Sequence, residues 1–533
     1  MSDPRVITGA VLVGAEDRLG GANFMARHAA TGAPLDPMFQ EAAFQDVEDA
    51  CRLAAAAFVE FSELSPSIRA TFLEQAAAEI AALGDTLIER AMAESGLPRA
   101  RLEGERGRTL GQLQFFARMV REGAWMDVAI DHALPQRAPV PRPDLRRRSV
   151  AIGPVAVFGA ANFPLAFSVA GGDSAAALAA GCPVVVKGHP MHPGTGELVA
   201  RALRSAVQKC GLPTGVSSYL PGAGHPLGAA LVSDPRIKAV GFTGSRAGGL
   251  ALVRLASARA EPIPVYAEMS SINPVILFPA AACARGAELG QAYVASLTLG
   301  AGQFCTNPGL VLALGDRDPD AFIQAAAAAL RACPPQQMLA SGIHSAFERG
   351  VKSLADHAGV QTLARGRPGA GVNQAQARLF VTDTAGFMGD LALSNEVFGP
   401  ASLIVRARTI DEVAPLLEQL EGQLTATLLF DQADEVAVAA LLPTLQRKVG
   451  RILANAWPTG VEVCHAMVHG GPFPATSDVR ATSVGSLAIQ RFLRPVCYQN
   501  LPDRLLPLAV RDDNPYRAPR RVDGVLTLFP CLP

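Results

Sequence analysis

Apolar and polar positions along this chain change rhythm, and the changes predict its elements. Residues 42–124 follow helical spacing, with strong helix formers in stretches such as Gln75-Ala76-Ala77-Ala78-Glu79-Ile80-Ala81-Ala82-Leu83. Gly84 and Ser95-Gly96-Leu97-Pro98 interrupt the pattern and predict breaks. From residue 150 short runs become apolar throughout: 155–159, 184–187, 216–220 and 239–243, with helices predicted over 168–180 and 194–210. A second series after residue 266 places strands at 274–278, 309–314, 401–405 and 426–430. Strands lacking a polar face, alternating with helices, predict parallel sheets covered on both sides. The fold class is therefore α/β, with two domains joined near residue 265. Between the two rhythms, Pro135, Pro139, Pro141 and Pro143 precede Arg146-Arg147-Arg148. That stretch reads as a linker or an extended edge hairpin, and its charge run as a solvated face. The Pro-rich segment from 506 is expected to wrap a neighbour or fray.

Composition narrows the function classes. A chain of 533 residues with 49% hydrophobic and 18% charged residues is globular, with ample core. Basic and acidic residues nearly cancel, 47 against 48, which argues against a nucleic-acid partner. The nine cysteines form no CxxC pair and no zinc-type cluster with histidine, so no metal is expected and reduced thiols in a cytoplasm are. Met1-Ser2-Asp3-Pro4-Arg5 opens no signal-peptide pattern. The most apolar stretch, 174–187, is broken at Gly181 and Pro183, so no membrane span is expected.

The chemistry centres on Cys305, in Gly302-Gln303-Phe304-Cys305-Thr306-Asn307, and Glu268, in Tyr266-Ala267-Glu268-Met269-Ser270. A thiolate attacks an aldehyde carbon, and a carboxylate activates water against the resulting thioester. Either residue alone has an ordinary reading: a small buried hydrophobe for Cys305, a cap or ion-pair partner for Glu268. Asn162, before Phe163-Pro164, is either an oxyanion donor or a turn residue. Gly244-Ser245-Arg246-Ala247-Gly248-Gly249 follows a predicted strand and opens a helix, the context of a phosphate-binding turn or of a plain connection. Lys187 ends another strand of that sheet, where open α/β sheets bind nucleotides. Glu396 lies in a loop as a ribose acceptor or an exposed turn carboxylate. His189, His192, His465 and His469 read as loop or core histidines.

Taken in order, Asn162-Phe163-Pro164, Lys187, Gly241-Phe242-Thr243-Gly244-Ser245, Glu268, Gly302-Gln303-Phe304-Cys305 and Glu396-Val397-Phe398-Gly399-Pro400 resemble the aldehyde dehydrogenase superfamily from about residue 40 to about 500. The resemblance implies a Rossmann-type cofactor domain (1–125 and 150–265), a catalytic domain (266–480), a β oligomerisation element (126–149 with 481–505) and a tail (506–533). It implies Cys305 as nucleophile, Glu268 as base and Asn162 as oxyanion donor. It also implies cofactor contacts from Lys187, Gly244, Ser245, Gly249, Glu396 and Phe398, and a homodimer or homotetramer. Three further segments resemble the subgroup oxidising 2-oxoglutarate semialdehyde (2,5-dioxovalerate): 161–173, His469-Gly470-Gly471-Pro472-Phe473-Pro474-Ala475-Thr476 and 491–500. NADP-linked long-chain aldehyde dehydrogenases are that subgroup's neighbours and the alternative reading. Pro190 stands where the family usually carries an acidic ribose ligand, so NADP is favoured with NAD use left open, and His189 and His225 are expected near its 2′-phosphate. Phe163, Phe167 and Gly171 are expected on a helix lining the substrate pocket. Two rivals from other classes are a catalytically silent binding protein, which loss of Cys305, Glu268 or Asn162 would favour, and a cofactor-free thiol esterase.

Overall fold

Two seven-stranded sheets organise the chain in this computed structural model, which describes residues 3–528. Met1, Ser2 and the last five residues of the expected tail lie outside the described residues. The first sheet has the strand order Val265–Glu268, Ala239–Thr243, Val155–Phe158, Val184–Lys187, Ser217–Leu220, Val11–Val13 and Glu16–Arg18. Its first five strands are parallel. Successive residues feed opposite cores: Val155, Val157, Val184 and Val186 pack on one side, Ala156, Val185, Val240 and Val265 on the other. That two-sided burial is why these strands lack a polar face. The chain steps from Val155–Phe158 outward to the strands at 184 and 217, then returns to pair Ala239–Thr243 on the opposite side. The switch point therefore lies where Phe158, Phe242 and Lys187 end side by side, with Glu268 opposite Thr243.

The second sheet runs Gln361–Arg365, Arg378–Asp383, Ala401–Ala407, Leu310–Leu314, Val275–Leu277, Gln423–Leu429 and Val449–Ala454. Only the Gln361–Arg365 edge is antiparallel. Both series of apolar strands read from the sequence thus fall into parallel sheets. The N-terminal strands escaped that reading: Val11–Val13 is apolar but short, and the hairpin Asn23–Arg27 with Pro34–Gln40 carries no comparable apolar run.

Three local expectations are corrected. The helix predicted over 168–180 begins at Gly172, and 163–171 is a string of turns. The buried Glu105 carboxylate takes the N–H groups of Leu165 and Ala166 at 2.9 and 3.0 Å, and Gly172 N–H donates to Ala166. These bonds close the segment into a loop instead of a helix. The arginine run is not simply a solvated face. It lies on Leu145–Ala151, and buried Arg146 donates to Asp144, Asp512 and the Val510 carbonyl. Of the two readings of the tail, wrapping a neighbour or fraying, the second does not hold for its described residues: Arg520–Val522 pairs with Val128–Asp131 and turns back through Val525–Thr527. A five-stranded sheet results, in the order Leu493–Gln499, Leu145–Ala151, Val128–Asp131, Arg520–Val522, Val525–Thr527.

Asp173, in the first turn of helix Gly172–Ala180, pairs at 2.6 Å with Arg491, and both side chains are buried. Removing one partner strands the other charge. Asp173→Ala is expected to lower stability by about 3–5 kcal/mol in urea unfolding, with Asp173→Asn losing less.

Candidate active site

Cys305 sits on a loop whose backbone is held in an unusual shape. After helix Pro279–Thr298, Gly300, Ala301 and Gly302 take φ values of 57°, 58° and 65° in succession. Ala301 in that region is strained. Gly302 is required, because a Cβ there would sit 2.4 Å from the Gly399 carbonyl carbon. Buried Asn273 offsets the strain by donating to the carbonyls of Cys305 and Asn307, both at 2.9 Å. Asn307 donates to Gly399 at 3.2 Å. Asn162 reaches the same loop, its side-chain amide donating to the Gln303 carbonyl at 3.0 Å.

The Cys305 Sγ lies 3.2 Å from His469 Nε2, which in turn lies 2.9 Å from Glu268 Oε1. Ser483 Oγ donates to Glu268 Oε2 at 2.7 Å. Glu268 and His469 are buried, and the thiol is half-buried. The carboxylate acceptor assigns the hydrogen to Nε2, so this N–H faces both Glu268 and the sulfur. Burial would raise the Glu268 pKa, but His469 and then Ser483 outweigh it and hold the carboxyl below its ordinary range. Burial, then Glu268, push the Cys305 thiol well above its ordinary range, and Arg108 opposes them. His469 is a buried loop histidine, as read, but that reading missed its place between Cys305 and Glu268. No spacing rule finds it, because its partners are 164 and 201 residues away. The three donor atoms lie within 4.8 Å of one another, a set that a thiophilic cation can also fill, at the expense of the nucleophile's lone pair.

A cavity of about 290 Å³ opens on Cys305, walled by Phe163, Phe167, Phe304, Arg101 and Arg108. The three rings meet edge to face, with centroids 5.2 and 5.5 Å apart. Gly171 does not line this cavity as expected: it caps helix Gly172–Ala180, and a Cβ there would meet the Ala166 carbonyl oxygen at 2.5 Å. Sequence reasoning missed both arginines. Arg101, Glu105 and Arg108 recur at helical spacing in helix Arg99–Glu122, and charges on a face that also buries Leu102 and Thr109 were the available signal.

The residues expected around a dinucleotide gather at the switch point, with Glu396 and Phe398 set apart. Lys187 Nζ donates to the Gly222 carbonyl at 2.7 Å, and burial lowers its pKa to about 8 against the opposing Glu41. Ser245 caps helix Arg246–Ser257 by accepting from Gly248, so the start of that helix faces the sheet edge beside Gly244. Gly249 serves packing instead: a Cβ would meet Met269 Cγ at 2.7 Å. Pro190 lies in the turn after Lys187, and His225 is exposed at the start of helix His225–Ser233. His189 stacks on His192 at 5.1 Å, and burial, His192 and Lys187 push its pKa well below the ordinary value. It is therefore neutral at physiological pH and supplies no cation. Glu396 and Phe398 line a separate cavity beside Asn307, where burial, and after it Glu268, raises the Glu396 carboxyl to about 8.

The profile of the aldehyde dehydrogenase family matches residues 27–472. An Azospirillum brasilense protein, "Alpha-ketoglutaric semialdehyde dehydrogenase 2", is 58% identical over 97% of this chain and 99% of its own length. An Acinetobacter baylyi protein, "Alpha-ketoglutaric semialdehyde dehydrogenase", is 48% identical over 93% of this chain and 94% of its own. Among solved structures, betaine aldehyde dehydrogenase from Staphylococcus aureus in complex with NAD+ superposes with a TM-score of 0.79 at 18% identity, covering 93% of this chain and 96% of that one. At that identity the likeness speaks for the fold alone.

The thiol's raised pKa gives a direct test. Alkylation of Cys305 by iodoacetamide should climb about tenfold per pH unit between about pH 7 and pH 9 without a plateau. His469→Ala should slow it by about 10- to 100-fold at one pH, the worth of a hydrogen bond to a charged group.

Proposed function

The chain belongs to the aldehyde dehydrogenase family, and on that premise we propose that it oxidises 2-oxoglutarate semialdehyde to 2-oxoglutarate through a thioester on Cys305. The names of the two close relatives supply the substrate class. The observation in this chain that carries it is the cavity: about 290 Å³, at the small end of ligand pockets (~300–1,000 Å³), and faced by guanidinium groups. An apolar acyl chain would leave the two guanidinium groups of the wall without a partner anion. Among the described residues no helix is long and apolar enough to cross a membrane.

In this reading the Cys305 thiol loses its proton to solvent, and the thiolate, faced by the His469 N–H, adds to the aldehyde carbon. The second amide hydrogen of Asn162 and the Cys305 backbone N–H stabilise the oxyanion. A nicotinamide dinucleotide, when bound, accepts the hydride released from that carbon. It fits the switch point because Lys187 offers a half-buried ammonium there and the Ser245 turn opens a helix. Glu268, an anion at neutral pH, then takes a proton from water; the hydroxide adds to the thioester carbonyl and the C–S bond breaks. Glu396 and Phe398 are assigned to the nicotinamide end.

NADP is the proposed dinucleotide, with NAD also accepted. Lys187 and His225 are the groups for the 2′-phosphate, Pro190 leaves the neighbouring position without a carboxylate, and Glu41, which accepts from Ala223 N–H, tempers the preference. The eight described cysteines are free, consistent with a reducing cytoplasm. The proposal includes a homodimer or homotetramer assembled through the edge strand Leu493–Gln499.

Three measurements bear on this. kcat/KM for 2-oxoglutarate semialdehyde should exceed that for a long-chain fatty aldehyde by about tenfold or more, some 1.4 kcal/mol of transition-state discrimination; the reverse order would move the enzyme to fatty aldehydes. Glu268→Gln should give one burst of reduced cofactor followed by slow turnover, since an amide takes no proton from water. Cofactor kinetics should show a higher kcat/KM with NADP than with NAD, and Pro190→Glu should shift the ratio towards NAD.

A further inference from the structure

We propose that Arg108 is the anchor for the carboxylate of the substrate, an assignment that rests on the short oxo-acid reading above. Its Nη1 donates to the Val461 carbonyl, which fixes the side chain against the far wall of the cavity. Its Nε and Nη2 are buried and find no hydrogen-bond partner among the described residues. Leaving donors of a charged group unmet is costly, so an unmet pair on a residue of the cavity wall marks a place for an acceptor. Nε and one Nη of a guanidinium form a fork that matches the two oxygens of a carboxylate. The guanidinium packs on Phe167 at 5.5 Å, which keeps the fork in plane with little freedom.

The charges around it point the same way. Arg101 lies over Phe163 and Phe304, at 4.4 and 5.0 Å, and is paired with Glu105 at 2.9 Å. Glu105 also carries two backbone N–H groups, so it serves the 165–166 turn and offsets Arg101. Glu105 and Glu462 also act on Arg108, but neither hydrogen-bonds its Nε or Nη2. Arg451, the other guanidinium acting on Cys305, spends Nη1 and Nη2 on the carbonyls of Gly460 and Pro458 and is not in the wall. The substrate carries its aldehyde at one end and its carboxylate at the other. In this assignment the aldehyde carbon lies at Cys305 and the carboxylate on this fork, both in the wall of the same cavity.

The test compares 5-oxopentanoate with pentanal, which differ in the carboxylate, in wild type, Arg108→Gln and Arg108→Lys. Wild type should prefer 5-oxopentanoate. In Arg108→Gln the ratio of the two kcat/KM values should fall by about 30-fold or more, carried by KM, over and above any loss that both substrates share through Cys305; Arg108→Lys should recover part of it. Equal losses for both substrates would make Arg108 a structural support and overturn the anchor alone. A wild type without the preference would sink the short oxo-acid reading as well. Should Arg108→Gln fail to fold, protection of wild-type Cys305 from iodoacetamide decides. Glutarate should protect at a concentration about tenfold or more below that of glutaramide, and equal protection would overturn the proposal.

Discussion

One imidazole N–H holds the reacting end of this molecule together. His469 Nε2 stands between a sulfur that must become an anion and a carboxylate that already is one. Glu268 is buried, and a buried carboxylate survives only where donors replace its water. His469 and Ser483 are those donors, and both come from the segment that follows the second sheet. The price of keeping Glu268 charged is thus that a distant stretch of chain be clamped onto the end of the first sheet. Backbone contacts follow the same seam, Met269 N–H to Ala475 and Ser477 N–H to Ala267.

The rest of the site is built to leave that arrangement no slack. Asn273 sits at a φ of 50°, and from there its amide holds two carbonyls of the nucleophile loop. Gln423 accepts from the backbone of Ile272 and Asn273 and from Ser271, tying the loop's support to a central strand of the second sheet. Strain at Ala301 is tolerable because the surroundings over-determine it. The thiol therefore meets its partners on loops that are tied by hydrogen bonds to strands of both sheets.

Much of this was legible along the chain, and the limits have physical causes. Strands buried on both faces announce themselves as unbroken apolar runs, which is why 155–158, 184–187, 275–277 and 310–314 read correctly. Cys305, Glu268 and Asn162 stood out because their neighbours form recognisable turns. His469 did not, since nothing local distinguishes a histidine whose partners arrive through folding. Arg101 and Arg108 were hidden for the opposite reason: arginines in a long helix look like ordinary surface until a neighbouring segment covers them. The turns at 163–171 were misread as helix because propensity cannot see Glu105 capturing their N–H groups from another helix.

The way the chain ends bears on how copies can meet. With Arg520–Val522 laid along Val128–Asp131, one flank of the five-stranded sheet is finished from within, and the new rim is a strand of three residues. Short rims offer too few backbone groups to recruit another strand, whereas Leu493–Gln499 on the far flank presents seven residues. In the proposed assembly the seven-residue rim is the one that meets a like rim, and the sheet is extended by pairing there while its three-residue flank stays out of the ladder.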